Sequence, residues 1–288
     1  MATDVGSKGG RVNGRRIVTL GVTYLILAVA VVIAVYPVLQ IVTISLRPGD
    51  RLLSTSLAVI PDNATIANYM TLLNETQFLR WMFNSTIVAL VVTVTGVALA
   101  STTGYALSRF HFKGRGAMLS GLLVTQMFPA TMLLLPLYLV LIRLHLINSY
   151  IGIVVIYTAT ALPFTIWQMK GYYDTIPTAL EEAARIDGCG PWQTFYKVIF
   201  PLAAPALVIT ALFSFMTAWN EYVVANVILQ DAELFTLPLG LKMFQSKMST
   251  EWGLYAAGSL IVSIPVVALF LVLSRYLISG LTLGSVKG

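Results

Sequence analysis

The chain has 288 residues, 57% of them hydrophobic and only 10% charged, with a mean hydropathy of +0.83. That is more apolar surface than one soluble core of this size can bury, which excludes an ordinary globular enzyme and points to an integral membrane protein. One cysteine and two histidines far apart in sequence exclude an intrachain disulfide and a histidine-based metal centre, and the net charge of +6 is read by where it sits, not as a nucleic-acid footprint.

A bilayer core about 30 Å thick needs about 20 mostly apolar residues per crossing, and six stretches qualify. A basic leader, residues 1–16, carries Lys8, Arg11, Arg15 and Arg16 ahead of the first stretch, Val18 to Leu39. That stretch is too long for a signal peptide and lacks a small-residue cleavage site, so it reads as a retained span. An external segment, 47–81, holds the turn formers Pro48, Gly49, Pro61 and Asn63 and reads as a small folded cap. The second span, Thr86 to Leu107, ends at a basic connection with Arg109, Lys113 and Arg115. In the third, Ala117 to Ile142, Pro129 and Pro136 predict a kink, and Met127, Phe128, Met132 and Leu135 read as packing residues.

The fourth span, Ile151 to Met169, leads into a polar loop, 170–201. There Pro177 and a Thr178/Glu181 capping box predict the start of a short helix. Leu180, Ala183, Ala184 and Asp187 share one of its faces by helical spacing, and Gly188 is a left-handed stop. Pro191 restarts a second helix with Trp192, Phe195, Tyr196 and Ile199 on one face. The small residues Ala183 and Ala184 make a shallow surface that another protein can approach closely, rimmed by the charges of Glu181, Glu182, Arg185 and Asp187. A helix that merely lies on lipid prefers Lys and Arg, and this one is mostly acidic. The fifth span, Pro205 to Leu229, contains Glu221, the one acidic residue placed inside a span, beside Trp219 and Asn220. A ring with polar groups is the kit for holding a sugar; the alternative is a structural bond at the outer end of the helix. A polar external loop, 230–253, precedes the last span, Leu254 to Ile278, and a tail, 280–288. With the leader inside, alternation puts twelve of the 18 basic residues on the cytoplasmic side, so both termini are expected there.

Glu182, Ala183, Ala184, Gly188 and the later run Val198, Ile199, Phe200, Pro201 resemble the EAA signature of permease subunits of binding-protein-dependent ABC importers. Further matches, "VIPDNATIANY" (59–69), "FNSTIVAL" (83–90), "AWNEYVVA" (218–225), "TLPLGL" (236–241) and "GLTLGSVKG" (280–288), resemble the second permease of carbohydrate importers. "STTGYALSRFHFKGR" (101–115) and "QMFPA" (126–130) are most similar to the smaller permease of maltose and maltodextrin transporters. Val198 and Phe200 replace the more usual Ile and Leu, and Ser274 stands where Gln is more common.

The resemblance implies an all-α integral membrane protein of the type I importer permease fold, with six spans in residues 17–279. It implies that Glu181, Glu182, Ala183, Ala184, Asp187 and Gly188 form a coupling helix seated in an ATPase subunit. It places Phe235, Lys242, Phe244 and Gln245 against a docked extracytoplasmic sugar-binding protein, and the tail near the ATPases. Implied partners are a homologous second permease, two ABC ATPase subunits, the sugar-binding protein and membrane lipid, with no nucleic acid. The chain holds no GxxxxGK[ST] phosphate cradle, so no cofactor is expected on it; ATP and Mg belong to the ATPases. The expected function is uptake of a carbohydrate into the cell across the inner membrane, maltose or maltodextrin first, with trehalose or sn-glycerol phosphate as alternatives. A secondary transporter using Glu221 as its coupling carboxylate is the competing class, but it leaves the EAA loop unexplained.

Overall fold

The computed structural model describes residues 14–49, 52, 58, 60–245 and 250–283, and every named element among them is helical. The basic leader up to residue 13, residues 246–249 of the outer loop and residues 284–288 of the tail lie outside the described residues. Helix α1 (Gly14–Ser45) is the first crossing, followed by a short α2 (Ala67–Asn74) and a long α3 (Phe78–Arg109). Helices α4 (Arg115–Gln126) and α5 (Ala130–Arg143) precede α6 (Tyr150–Tyr173). The polar loop folds as α7 (Ala179–Ile186), α8 (Pro191–Thr194), a π-helical turn over Phe195–Ile199 and α9 (Phe200–Leu202). Then come α10 (Ala204–Asn220), α11 (Val223–Ile228), α12 (Leu237–Lys242) and α13 (Trp252–Leu283).

Four helices, α1, α3, α6 and α13, are each long and apolar enough to cross a membrane, and two bent pairs bring the number to six. The third expected span is not one rod: α4 and α5 meet at 107°. The break falls at Pro129, whose ring fixes φ and whose missing N–H cannot continue the ladder. Met127, Phe128, Met132 and Leu135 are all exposed, between 55% and 81%, so they face outward and do not pack within the chain as the sequence predicts. The fifth expected span also ends early. Helix α10 stops at Asn220, Glu221 is extended, and the chain resumes in α11. At its other end α10 meets the α8–α9 segment at 79°.

Two hydrophobic cores form at opposite ends of the crossings. One gathers Leu72, Phe78, Trp81, Tyr157, Trp219 and Leu237; the other gathers Tyr105, Met169, Tyr173, Phe195 and Ile199. Helices α3, α6 and α10 contribute to both and pack on one another. The approach of α3 to α6 is close at Gly104, where a Cβ would lie 2.8 Å from that of Met169. By contrast α1 packs mainly against α13 and leaves residues 18–39 exposed, the apolar-all-round surface of a helix that faces lipid. In the segment 47–81, expected to be external, Asn68 Nδ2 donates to the carbonyls of Ser45 and Arg47 and the Ser45 hydroxyl is 2.8 Å from that of Tyr69. The described part of that cap is therefore tied to the end of α1.

Candidate coupling site and outer cleft

Helix α7 is held against the end of α3 by a buried ion pair. Arg109 Nε donates to Glu181 Oε1, and Tyr105 Oη donates to Glu181 Oε2 at 2.9 Å. The same guanidinium donates to the Ile176 carbonyl at 2.8 Å and to Ser108 Oγ at 3.0 Å. Ser108 Oγ in turn donates to Asp174 Oδ1 at 2.7 Å, and Lys170 Nζ to Asp174 Oδ2 at 2.6 Å. Partial burial works against the Asp174 carboxylate, but the hydrogen bonds from Lys170 and Ser108 outweigh it and hold the group below its ordinary range.

Glu181 is thus 4% exposed and turned into the protein, not placed at a charged rim. Thr178 makes no side-chain cap bond, so the expected capping box does not form: its acidic half is taken by Arg109. The expected face also divides. Ala184 is buried, whereas Leu180, Glu182, Ala183, Ile186, Asp187 and Gly188 are exposed. The helix ends in a Schellman motif, with Gly188 N–H bonded to the Arg185 carbonyl and Cys189 N–H to that of Ala184. Gly188 has φ +87°, the left-handed region.

In the following segment the π-helical turn rotates the side chains away from simple helical spacing. Phe200 N–H bonds to the Phe195 carbonyl, five residues back. Phe195 and Ile199 therefore point into the core while Trp192 and Tyr196 stay 76% and 70% exposed, and the four do not share one face as expected. With Ile186 at 86%, this end of the molecule shows several large apolar side chains to its surroundings. Tyr105, Phe110, Trp192 and Phe195 line a crevice of about 250 Å³ at this end.

At the opposite end Trp219, Asn220 and Glu221 do not converge. Trp219 is 1% exposed, stacks on Phe215 with ring centroids 5.3 Å apart, and its indole N–H donates to the Val262 carbonyl. The Glu221 carboxylate accepts from Tyr157 Oη at 2.8 Å and from the backbone N–H groups of Val224 and Ala225. It caps α11, which the break after Asn220 would otherwise leave with free donors. Only Asn220 reaches an open cleft. Of the residues expected to meet a binding protein, Phe235 and Phe244 are 9% and 8% exposed and belong to the core, because the loop folds its apolar side onto Trp81. Lys242 and Gln245 remain available at the surface. Arg109, Tyr105 and Tyr157 are the residues sequence reasoning missed. Arg109 was visible only as a basic residue marking the cytoplasmic side, and nothing local in sequence links it to Glu181.

The chain matches the profile of the binding-protein-dependent transport system inner membrane component family over residues 93–282. It belongs to that family. Over 285 residues it is 34% identical to the maltose/maltodextrin transport system permease protein MalG of Photorhabdus laumondii, covering 92% of this chain and 95% of the relative. It is 36% identical to the galactooligosaccharides transport system permease protein GanQ of Bacillus subtilis, covering 95% and 98%. It is 35% identical to the diacetylchitobiose uptake system permease protein DasC of Streptomyces coelicolor, covering 88% and 92%. Among solved structures, a chain of a bacterial ABC transporter involved in import of the acidic polysaccharide alginate superposes with a TM-score of 0.80 at 25% identity, covering 95% of this chain and 99% of the other. The all-α importer-permease fold is therefore this chain's fold, and the chain is a transport permease.

Proposed function

We propose that this permease conducts a short neutral oligosaccharide into the cell, maltodextrin first, as one half of a heterodimeric ABC importer. The observation that carries the reading is the spread of its relatives: proteins named for maltodextrins, galactooligosaccharides and diacetylchitobiose each match across nearly the whole chain. The second half is a homologous permease. Two ATPase subunits bind ATP and Mg below, and an extracytoplasmic sugar-binding protein docks above. Both termini lie in the cytoplasm.

The exposed side of α7 supports an ATPase seat. Glu182, Ala183 and Ile186 face outward, Trp192 and Tyr196 flank them, and Gly188 ends the helix without a side chain that would obstruct a docking groove. Closure of the two ATPases on ATP then moves residues 177–200, and the Arg109–Glu181 pair passes that movement to α3. The test is a mild-detergent pull-down of the tagged permease followed by ATPase assay of the eluate. A co-purifying ATPase whose turnover rises with maltose-loaded binding protein is the expected result. A permease that comes down alone, and that moves sugar in sealed vesicles without ATP, refutes the reading.

A further inference from the structure

A cleft of about 410 Å³ opens between the last turn of α10, helix α12 and the first turns of α13. Asn220, Tyr222, Lys242, Gln245, Tyr255 and Ser259 line it over an apolar floor that includes Leu241. Two groups that the sequence assigns to different tasks, Asn220 and the pair Lys242 and Gln245, meet here. The concentration of amides, phenols and a hydroxyl in one concavity is unusual for helices as apolar as α10 and α13. Polar side chains on a lipid-facing surface are costly, and they mark a water-filled path or a protein contact instead.

From the chemistry of the lining we infer that this cleft is a sugar-holding site on this subunit, taking two or three units of a neutral oligosaccharide at the mouth of the pathway. The inference rests on the sugar-importer reading above. The volume falls within the range of small-molecule sites, about 300–1,000 Å³. Tyr222 and Tyr255 offer partly exposed rings and phenols to the faces and hydroxyls of a pyranose. Asn220 Nδ2 is used by the Met216 carbonyl, but among the described residues its Oδ1 has no protein donor. Lys242 Nζ donates to Gln245 Oε1 at 2.5 Å, which leaves the Gln245 amide hydrogens for a ligand hydroxyl and engages the only cation among the described residues that line the cleft. Among the described residues no carboxylate lines the cleft, which argues against a metal or a cationic ligand. A single cation already engaged by an amide argues against a phosphorylated or polyanionic one. Trp219 and Glu221 contribute by position only: the first anchors the end of α10, the second fixes the turn beyond Asn220.

Cys189 is the chain's one cysteine, so a single-cysteine reporter is simple to build. In a Cys189→Ser background, Ser259→Cys places a thiol in the cleft, and Asn220→Cys serves if the first variant does not assemble. The assembled importer in lipid nanodiscs, without binding protein, is labelled with a membrane-impermeant maleimide in the presence of maltotriose, galactotriose or glycine at equal osmolarity. At ten times its dissociation constant, a sugar that occupies the cleft slows labelling by about tenfold. Glycine leaves the rate unchanged, and Tyr255→Ala raises the sugar concentration for half-protection by about tenfold. A labelling rate indifferent to every sugar, or a thiol shielded with and without sugar because the second permease covers it, overturns the site. The same preparation is assayed for ATPase stimulation by loaded binding proteins. Intact stimulation with no protection rejects the cleft and keeps the importer; loss of stimulation by every loaded binding protein rejects both.

Discussion

Replacing Arg109 by Met tests whether α7 is fastened to α3. The Arg109 and Glu181 side chains are 11% and 6% exposed, so removing the cation leaves a carboxylate inside the protein with Tyr105 as its remaining side-chain donor. Breaking one partner of a buried pair costs about 3–5 kcal/mol, much of it the penalty for the charge left behind. The Ile176 carbonyl loses a donor as well. About 3 kcal/mol acting on the seating of α7 shifts the fraction of correctly docked helix by more than a hundredfold. In reconstituted vesicles Arg109→Met is therefore expected to cut sugar uptake by at least about tenfold, while the ATPases still turn over without the binding protein. Arg109→Met with Glu181→Met removes the stranded charge and is expected to restore thermal stability by about 1–3 kcal/mol relative to the single change. Glu181→Gln, which keeps an acceptor for Tyr105, falls between wild type and Arg109→Met. An Arg109→Met variant that transports and melts like wild type, or a double variant that loses as much stability as the two single ones added together, refutes the fastening of α7 to α3.

Three further outcomes follow from local geometry. Gly188 sits at φ +87° in open space, so Gly188→Val is strained by its backbone alone, by about 1–2 kcal/mol; it should separate ATPase turnover from uptake, whereas Gly188→Asn should transport near normally. Membrane insertion of both, checked by protease accessibility, stays unchanged. Glu221→Gln turns an amide group toward donors that now face a carboxylate, and is expected to lower the melting temperature by the equivalent of about 1–3 kcal/mol without altering the sugar dependence of uptake; lost uptake in a variant of normal stability would return that carboxylate to the sugar path. At Gly240 a Cβ would lie 2.2 Å from the Trp81 ring, so Gly240→Ala should destabilise by about 1–3 kcal/mol and displace the loop that carries Lys242, seen as faster proteolysis of residues 230–250.

The apolar crossings and the family were legible in the sequence, because each is written in features longer than one helical turn. A 20-residue apolar run or a dispersed motif survives local detail. Which side of a helix is buried does not. Helix α7 spans only Ala179–Ile186, and with two turns almost any face looks plausible from spacing alone. Glu181 went inward because Arg109, far away in the chain, is there to receive it. The π-helical turn defeated the reading of Trp192 to Ile199 for a related reason: one extra residue per turn moves every later side chain by about 100°. Asn220 and Glu221 interrupt the apolar run for only two residues before Tyr222, Val223 and Val224 resume it, so hydropathy averaged over a span-length window does not record that α10 has already ended.

Like its neighbour α6, helix α3 joins the two ends of the molecule without a break. Its last turns hold Tyr105 and Arg109 against α7. Its first turns hold the outer loop: Trp81 donates to the Ala232 carbonyl, Asn84 to those of Glu233 and Phe235, and Ser85 accepts from Leu237 N–H. By contrast α4–α5 is broken at Pro129 and α10 yields to an extended Glu221. Between the two cores α3 meets its neighbours through small residues. A Cβ at Gly96 would lie 3.0 Å from Ser214 Oγ, and Thr95 and Thr158 hydroxyls are 3.1 Å apart. Small side chains at a helix contact permit close approach without interlocking. The continuous α3 therefore ties α7 at one end to the loop bearing Lys242 and Gln245 at the other.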